Sequence, residues 1–118
     1  MENTELSLLN NLQEYADKKE LLQALLHQLD KDTGLDYTPH FDHIDDADFI
    51  AKLRADLTQH LKKVSQNHTR FMHMVYRVDI SQPKLHKLEM DEFYYNNLAE
   101  MVLNRLFQKI ITKRFLKN

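Results

Sequence analysis

"IAKLRADLTQHLKKVSQNHTRFMHMVYRVDISQPKL", Ile50 to Leu85, is the stretch on which the fold turns. Ile50, Leu53, Leu57, Leu61 and Val64 recur in steps of three and four, the period of a helix rather than the alternation of a strand. The stripe runs on through His68, Phe71, Val75 and Val78, so a single helix across the whole stretch is compatible with it. "SQNHT" at its centre is a poor helix former, because Ser, Asn and Thr side chains compete for backbone hydrogen bonds. The reading therefore favours a break near Gln66–His68, with a long helix before it and a shorter one ending near Val78.

The end of the stretch spells a second junction. Ser81 suits an N-cap, since its hydroxyl can accept from a free backbone N–H of the next turn. Ile80 and Leu85 then stand at the two positions of a hydrophobic staple, and Pro83 falls in the first turn, where a missing N–H costs little. Asp79 adds negative charge near the positive end of that helix. Arg77 and Asp79 are two apart and do not face each other on a helix. If partly buried, each needs another partner: Arg105 for Asp79, and Glu92 or Glu100 for Arg77.

Working outward, composition supports the same class. The 118 residues include one glycine (Gly34) and two prolines (Pro39, Pro83), too few for the tight turns of a sheet protein. Hydrophobic residues at 42% and charged residues at 29% match a chain that folds around one core. The expected fold is all-α: a single domain spanning residues 1–118, with four to five helices in a bundle-like packing and an irregular loop at about 34–46.

Upstream, Leu6, Leu9, Leu12, Leu22, Leu25, Leu26 and Leu29 keep helical spacing behind Thr4 as N-cap. The polar "ADKKE" marks a kink or break, with Asp17 capping the second segment, and Gly34 stands where a left-handed C-terminal cap belongs. After the loop, Asp45 or Asp46 is expected to cap the long helix. The last helix is expected from about Asp91 to Leu116. Its apolar residues (Tyr95, Leu98, Val102, Leu106 and Ile110, with Phe93, Met101, Phe107, Ile111 and Phe115 around them) cover much of its circumference. Such a helix is central in its domain or is covered by a partner chain.

"MVYRVDIS" and the later "NRLFQKIITKR" resemble a family of short, uncharacterised helical bacterial proteins. In that family a Tyr-Arg-hydrophobic-Asp junction precedes a C-terminal helix bearing an Arg-x-x-Gln-Lys pattern. The resemblance covers about the last third of the chain. It implies a helical fold and carries over no functional residue.

Several classes of function are disfavoured. A net charge of -2 sets up no strong field toward nucleic acid or an anionic membrane. Cysteine is absent, which removes disulfides, thiolate zinc sites and a cysteine nucleophile. No apolar run approaches the ~20 residues of a membrane span, and "MENTELSLLNN" lacks the features of a signal peptide, so a cytoplasmic location is expected. With one glycine there is no phosphate-cradling loop or nucleophile elbow, and a non-enzymatic protein without a cofactor is expected.

Four sites nevertheless merit a place in the structure. "DKDTGLDYTPHF" starts like a calcium loop, but its sixth position is Leu35 and its twelfth is Phe41, where glycine and glutamate are needed. "HFDHIDDAD" offers His40, Asp42, His43 and Asp46 as candidate metal ligands, although its carboxylates equally serve as helix caps. Lys109, Lys113, Arg114 and Lys117 form a C-terminal basic edge that complements the helix dipole and offers a weak nucleic-acid surface. His68 and His73 read as helix-surface or interface residues. Phe71, Tyr76, Phe93, Tyr94 and Tyr95 cannot all face one core, so at least one is expected to be exposed or to meet a partner. The leading expectation is an interaction or regulatory module that binds a protein partner or self-associates through the last and the long central helices. A metal-binding protein and a weak nucleic-acid binder are the alternatives.

Overall fold

The computed structural model describes residues 18–114. Among them are five α-helices, one 3-10 helix and no strand: α1 (Lys18–Thr33), the 3-10 turn (Thr38–His43), α2 (Phe49–Val64), α3 (His68–Val78), α4 (Gln82–His86) and α5 (Tyr94–Arg114). The fold is all-α, as the periodicity requires. Thr4 and Asp17, the proposed caps of the N-terminal region, lie outside the described residues, as do Phe115, Leu116 and Lys117.

Helix α1 turns Leu21, Leu22, Leu25, Leu26 and Leu29 fully inward. It closes as expected at Gly34, whose φ of +74° is left-handed and whose N–H donates to the Asp30 carbonyl at 3.0 Å. No atom lies within 4 Å of where a Cβ would stand, so backbone conformation and not space selects glycine here. The following segment is more regular than a loop. Asp36 accepts from the Thr38 hydroxyl at 2.6 Å and the Thr38 N–H at 3.0 Å, setting off the 3-10 turn with Pro39 at its start. These two bonds hold the Asp36 carboxyl below its ordinary pKa, the hydroxyl contributing most.

Helix α2 starts at Phe49, and neither Asp45 nor Asp46 caps it. Asp48 occupies the cap position without a side-chain cap bond, and its carboxylate lies 3.4 Å from Lys52 Nζ instead. The expected break after α2 is present. Asn67 takes an extended backbone (φ −114°, ψ 104°), and its side-chain oxygen accepts from the Arg70 N–H at 3.1 Å to cap α3. His68 and His73 are exposed on α3, as expected of surface residues.

The α3–α4 corner combines two caps. Asp79 is left-handed (φ 69°, ψ 51°), its N–H donates to the Tyr76 carbonyl at 3.1 Å, and the Ile80 N–H donates to the Val75 carbonyl at 3.2 Å. This is a Schellman closure with aspartate where glycine is usual. Two residues on, Ser81 accepts from the Lys84 N–H at 3.3 Å and caps α4. Ile80 and Leu85 are both buried in the common core, as a staple requires.

Helix α5 begins at Tyr94, three residues later than its pattern predicts, because Asp91 forms a turn that accepts from the Phe93 N–H at 2.9 Å. It packs against α2, α1 and α3. Leu98, Ala99, Val102, Leu103, Leu106, Phe107 and Ile110 are buried in that packing. Its broad apolar surface thus serves the domain's own core: α5 is the central helix.

Candidate functional site

The corner between α3 and α4 and the facing side of α5 enclose an open cleft of about 730 Å³. Asp79, Ile80, Ser81 and Lys84 form one wall; Asn97, Glu100, Met101, Asn104, Arg105 and Gln108 form the other. The α5 wall follows from helical geometry, since steps of three and four place these residues on one face. Arg105 joins the two walls. Its Nε donates to the Asp79 carbonyl at 3.0 Å and its Nη2 to Asp79 Oδ2 at 2.8 Å. The guanidinium's hydrogen bond and charge hold the Asp79 carboxyl below its ordinary pKa. Two cations (Lys84, Arg105) face two acids (Asp79, Glu100), and the rest of the polar lining is amide and hydroxyl. Ser81, the only hydroxyl of the lining, is committed to capping α4.

Of the junction residues, the structure joins Asp79 to Arg105 as expected. Arg77 differs. It is exposed, not buried, and it is its carbonyl that is engaged, accepting from Lys109 Nζ at 2.6 Å. Val75 and Val78 take the inward positions of that turn and leave Arg77 outside. Tyr76 and Phe93 are exposed at 85% and 57%, so the aromatic set does reach the surface. Phe71 is in the core, while Tyr94 and Tyr95 pack edge-to-face, half-buried. Burial raises the Tyr94 phenol, and the neighbouring Tyr95 adds to that shift. Tyr95 shares a 2.7 Å hydrogen bond with the Ser65 hydroxyl, tying α5 to the break after α2.

The loop residues divide. His40 turns to α2, with Nε2 2.9 Å from Asp56 Oδ2, while His43 stays outside beside Asp46 at 3.3 Å and Asp42 is exposed. Among the described residues, no three His, Cys, Asp or Glu side chains are grouped to hold a metal ion. The structure gathers a different set around His40. Asp56 Oδ1 lies 3.4 Å from His60 Nε2, and His60 Nδ1 lies 2.7 Å from the hydroxyl of fully buried Tyr37. The Tyr37 ring also meets both imidazoles, at centroid distances of 6.0 Å to His40 and 5.3 Å to His60. Burial raises the Tyr37 phenol well above the ordinary value, and the Asp56 and Asp30 charges add to it. With Tyr37 sealed and both His60 nitrogens engaged, this cluster acts as a clasp between the 3-10 turn and α2.

Of the basic edge, Lys109 and Lys113 reach to α1. Lys109 Nζ donates to Asp32 Oδ2 at 2.8 Å, Gln28 Nε2 donates to the same oxygen at 3.1 Å, and Lys113 Nζ donates to Gln28 Oε1 at 3.3 Å. Sequence reading missed the clasp, the Lys109–Asp32 pair and the cleft. Helical spacing groups the α5 wall of the cleft and the Asp56–His60 pair, but the partners that complete each arrangement come from distant parts of the chain.

No family model, curated protein or solved structure matches the chain. Among the described residues, no helix is long and apolar enough to cross a membrane.

Proposed function

We propose that the chain is a non-enzymatic protein-interaction module whose contact surface is the cleft between the α3–α4 corner and α5. The observation that carries this reading is the make-up of the cleft wall: Asn97, Asn104 and Gln108 along one face of α5, one turn beyond the exposed ring of Phe93. Carboxamides both donate and accept, and Phe93 adds an exposed aromatic ring of a type enriched at protein interfaces. Self-association through the apolar faces of α5 and α2 has less support, since those faces are occupied by the domain's own helices. Weak nucleic-acid binding through the basic edge also has less support, because Lys109 and Lys113 are engaged with Asp32 and Gln28.

Incorporating a photo-crosslinking phenylalanine analogue at position 93 of the full chain, in its native cell, tests the reading. A discrete adduct with a different polypeptide, lost when Asn97 and Gln108 are both replaced by alanine, is the expected result. An adduct with a second copy would move the reading to self-association. Absence of any adduct from positions 93 and 84 of a folded chain would end it.

A further inference from the structure

We propose that the outer face of α3 binds single-stranded nucleic acid, with Arg70 and Arg77 on its phosphates and Tyr76 stacked on an unpaired base. This surface is separate from the row of amides on α5, and the proposal goes beyond the interaction reading above. It starts from charge. Residues 57–78, from the middle of α2 to the end of α3, contain no Asp or Glu and four cations: Lys62, Lys63, Arg70 and Arg77. In a chain of net charge -2 the remainder therefore carries -6, so the small overall charge conceals a segregated basic stretch.

All four cations are exposed, and among the described residues none of their charged groups meets a carboxylate. Arg105 and Lys109, by contrast, are held by Asp79 and Asp32. Helical geometry gathers the exposed groups of α3. Arg70 and Arg77 are seven residues apart and lie nearly on one line, roughly 10 Å from each other along the axis, far enough to engage different phosphates. His73 stands between them and Tyr76 beside them, so the four share about a third of the circumference. Lys62 and Lys63 close α2 just ahead of the turn into α3 and add charge at that end.

The pairing of groups selects the ligand. Guanidinium groups bind phosphate through two parallel hydrogen bonds, and a flat ring stacks on the face of a base. The Tyr76 ring is 85% exposed, and its hydroxyl has no partner among the described residues. Each nucleotide of a single strand offers both a phosphate and an open base face. In a duplex the base faces are already stacked on one another, which leaves the ring without a partner. A bilayer is disfavoured because Phe71, Met74, Val75 and Val78, the apolar side of α3, are buried in the domain's own core and cannot enter lipid.

The test titrates the full chain into fluorescently labelled single-stranded oligonucleotides of mixed sequence at low salt and reads anisotropy. Saturable binding is expected, with log affinity falling against log salt at a slope of about -2 to -3, as three or four phosphate contacts imply. Replacing Arg70 and Arg77 by glutamine is expected to weaken binding by roughly tenfold or more and to make the slope shallower by about 1.4. Tyr76→Ser is expected to weaken binding about tenfold and leave the slope unchanged, because stacking releases no counterion. Circular dichroism checks that both variants remain folded. No saturable binding at low salt would overturn the proposal. So would binding indifferent to both variants, which would place the nucleic acid on another surface. A duplex of the same sequence bound as tightly, with Tyr76→Ser silent, would show a surface that reads phosphate alone and overturn the single-strand assignment. Displacement by polyglutamate at equal charge would identify an acidic protein as the partner and overturn it as well.

Discussion

Arg105 grips Asp79 twice, through the backbone carbonyl at 3.0 Å and the carboxylate at 2.8 Å, and so fixes a left-handed aspartate against the central helix. Two separate features therefore meet at position 79. Glycine would relieve the positive φ but lose the carboxylate bond; alanine would lose the bond and keep the strain. The expected order of melting temperatures is parent, then Asp79→Gly, then Asp79→Ala, measured by thermal denaturation. Equal melting of the two variants would remove backbone conformation as a factor.

The same pair has a pH signature. The Asp79 carboxyl is lowered in the folded state from an ordinary value of 3.8. Its contribution to stability is therefore present above about pH 4 and is lost as the pH falls through the lower folded value. A carboxyl-carbon titration by nuclear magnetic resonance is expected to place the Asp79 midpoint below 3.8 in the parent and higher in Arg105→Gln.

Lys109 and Asp32 form an ion pair from which water is largely excluded, Asp32 being only 6% exposed. Replacing Lys109 by methionine leaves that carboxylate inside without its cation and is expected to cost about 3 kcal/mol in urea denaturation. Adding Asp32→Leu to the same chain is expected to recover part of the loss. A double variant as unstable as the sum of the two single ones would show that the charges act independently.

Tyr37→Phe removes a sealed hydroxyl from His60 and is expected to destabilise the chain by about 1 kcal/mol. The parent's Tyr37 phenol is raised in the folded state, so its contribution to stability is complete below pH 10 and is lost as the pH rises beyond it. Ultraviolet difference titration is expected to find one fewer tyrosine ionising late in Tyr37→Phe than in the parent.

Asn67 caps α3, and Asn67→Ala is expected to cost about 1 kcal/mol, read from chemical denaturation. Tyr76→Ser, at an exposed position, is expected to stay within about 0.5 kcal/mol of the parent. A large loss at Tyr76 would mean that its ring is covered in solution.

Much of the architecture is legible in the chain because it depends on neighbours in sequence. The break at Asn67, the left-handed stop at Gly34 and the Ser81 cap each involve groups no more than four residues apart. Helix starts are less legible. Asp45 and Asp46 are the caps that the sequence suggests for α2, but Asp48 takes the position because the 3-10 turn and its following turn run on through Asp46. Asp91 similarly forms a separate turn ahead of α5 and delays its start. Arg77 is left open by the sequence, because a charge amid apolar residues is compatible with either face until the helix's rotation is fixed, and that rotation puts it outside.

By itself, the sequence determined an all-helical chain and its corner at Asp79 to Ser81, and it favoured without deciding the break near Asn67, because those follow from spacing and local hydrogen bonding. Only the tertiary structure decided that His40 meets Asp56 and not a metal-ligand set in its own loop, that Lys109 is spent on Asp32 from 77 residues away, and that an amide-lined cleft opens beside Arg105. Those pairings depend on how the helices rotate and pack against α5. Burying the leucines fixes that packing, and the polar side chains take the partners it leaves within reach.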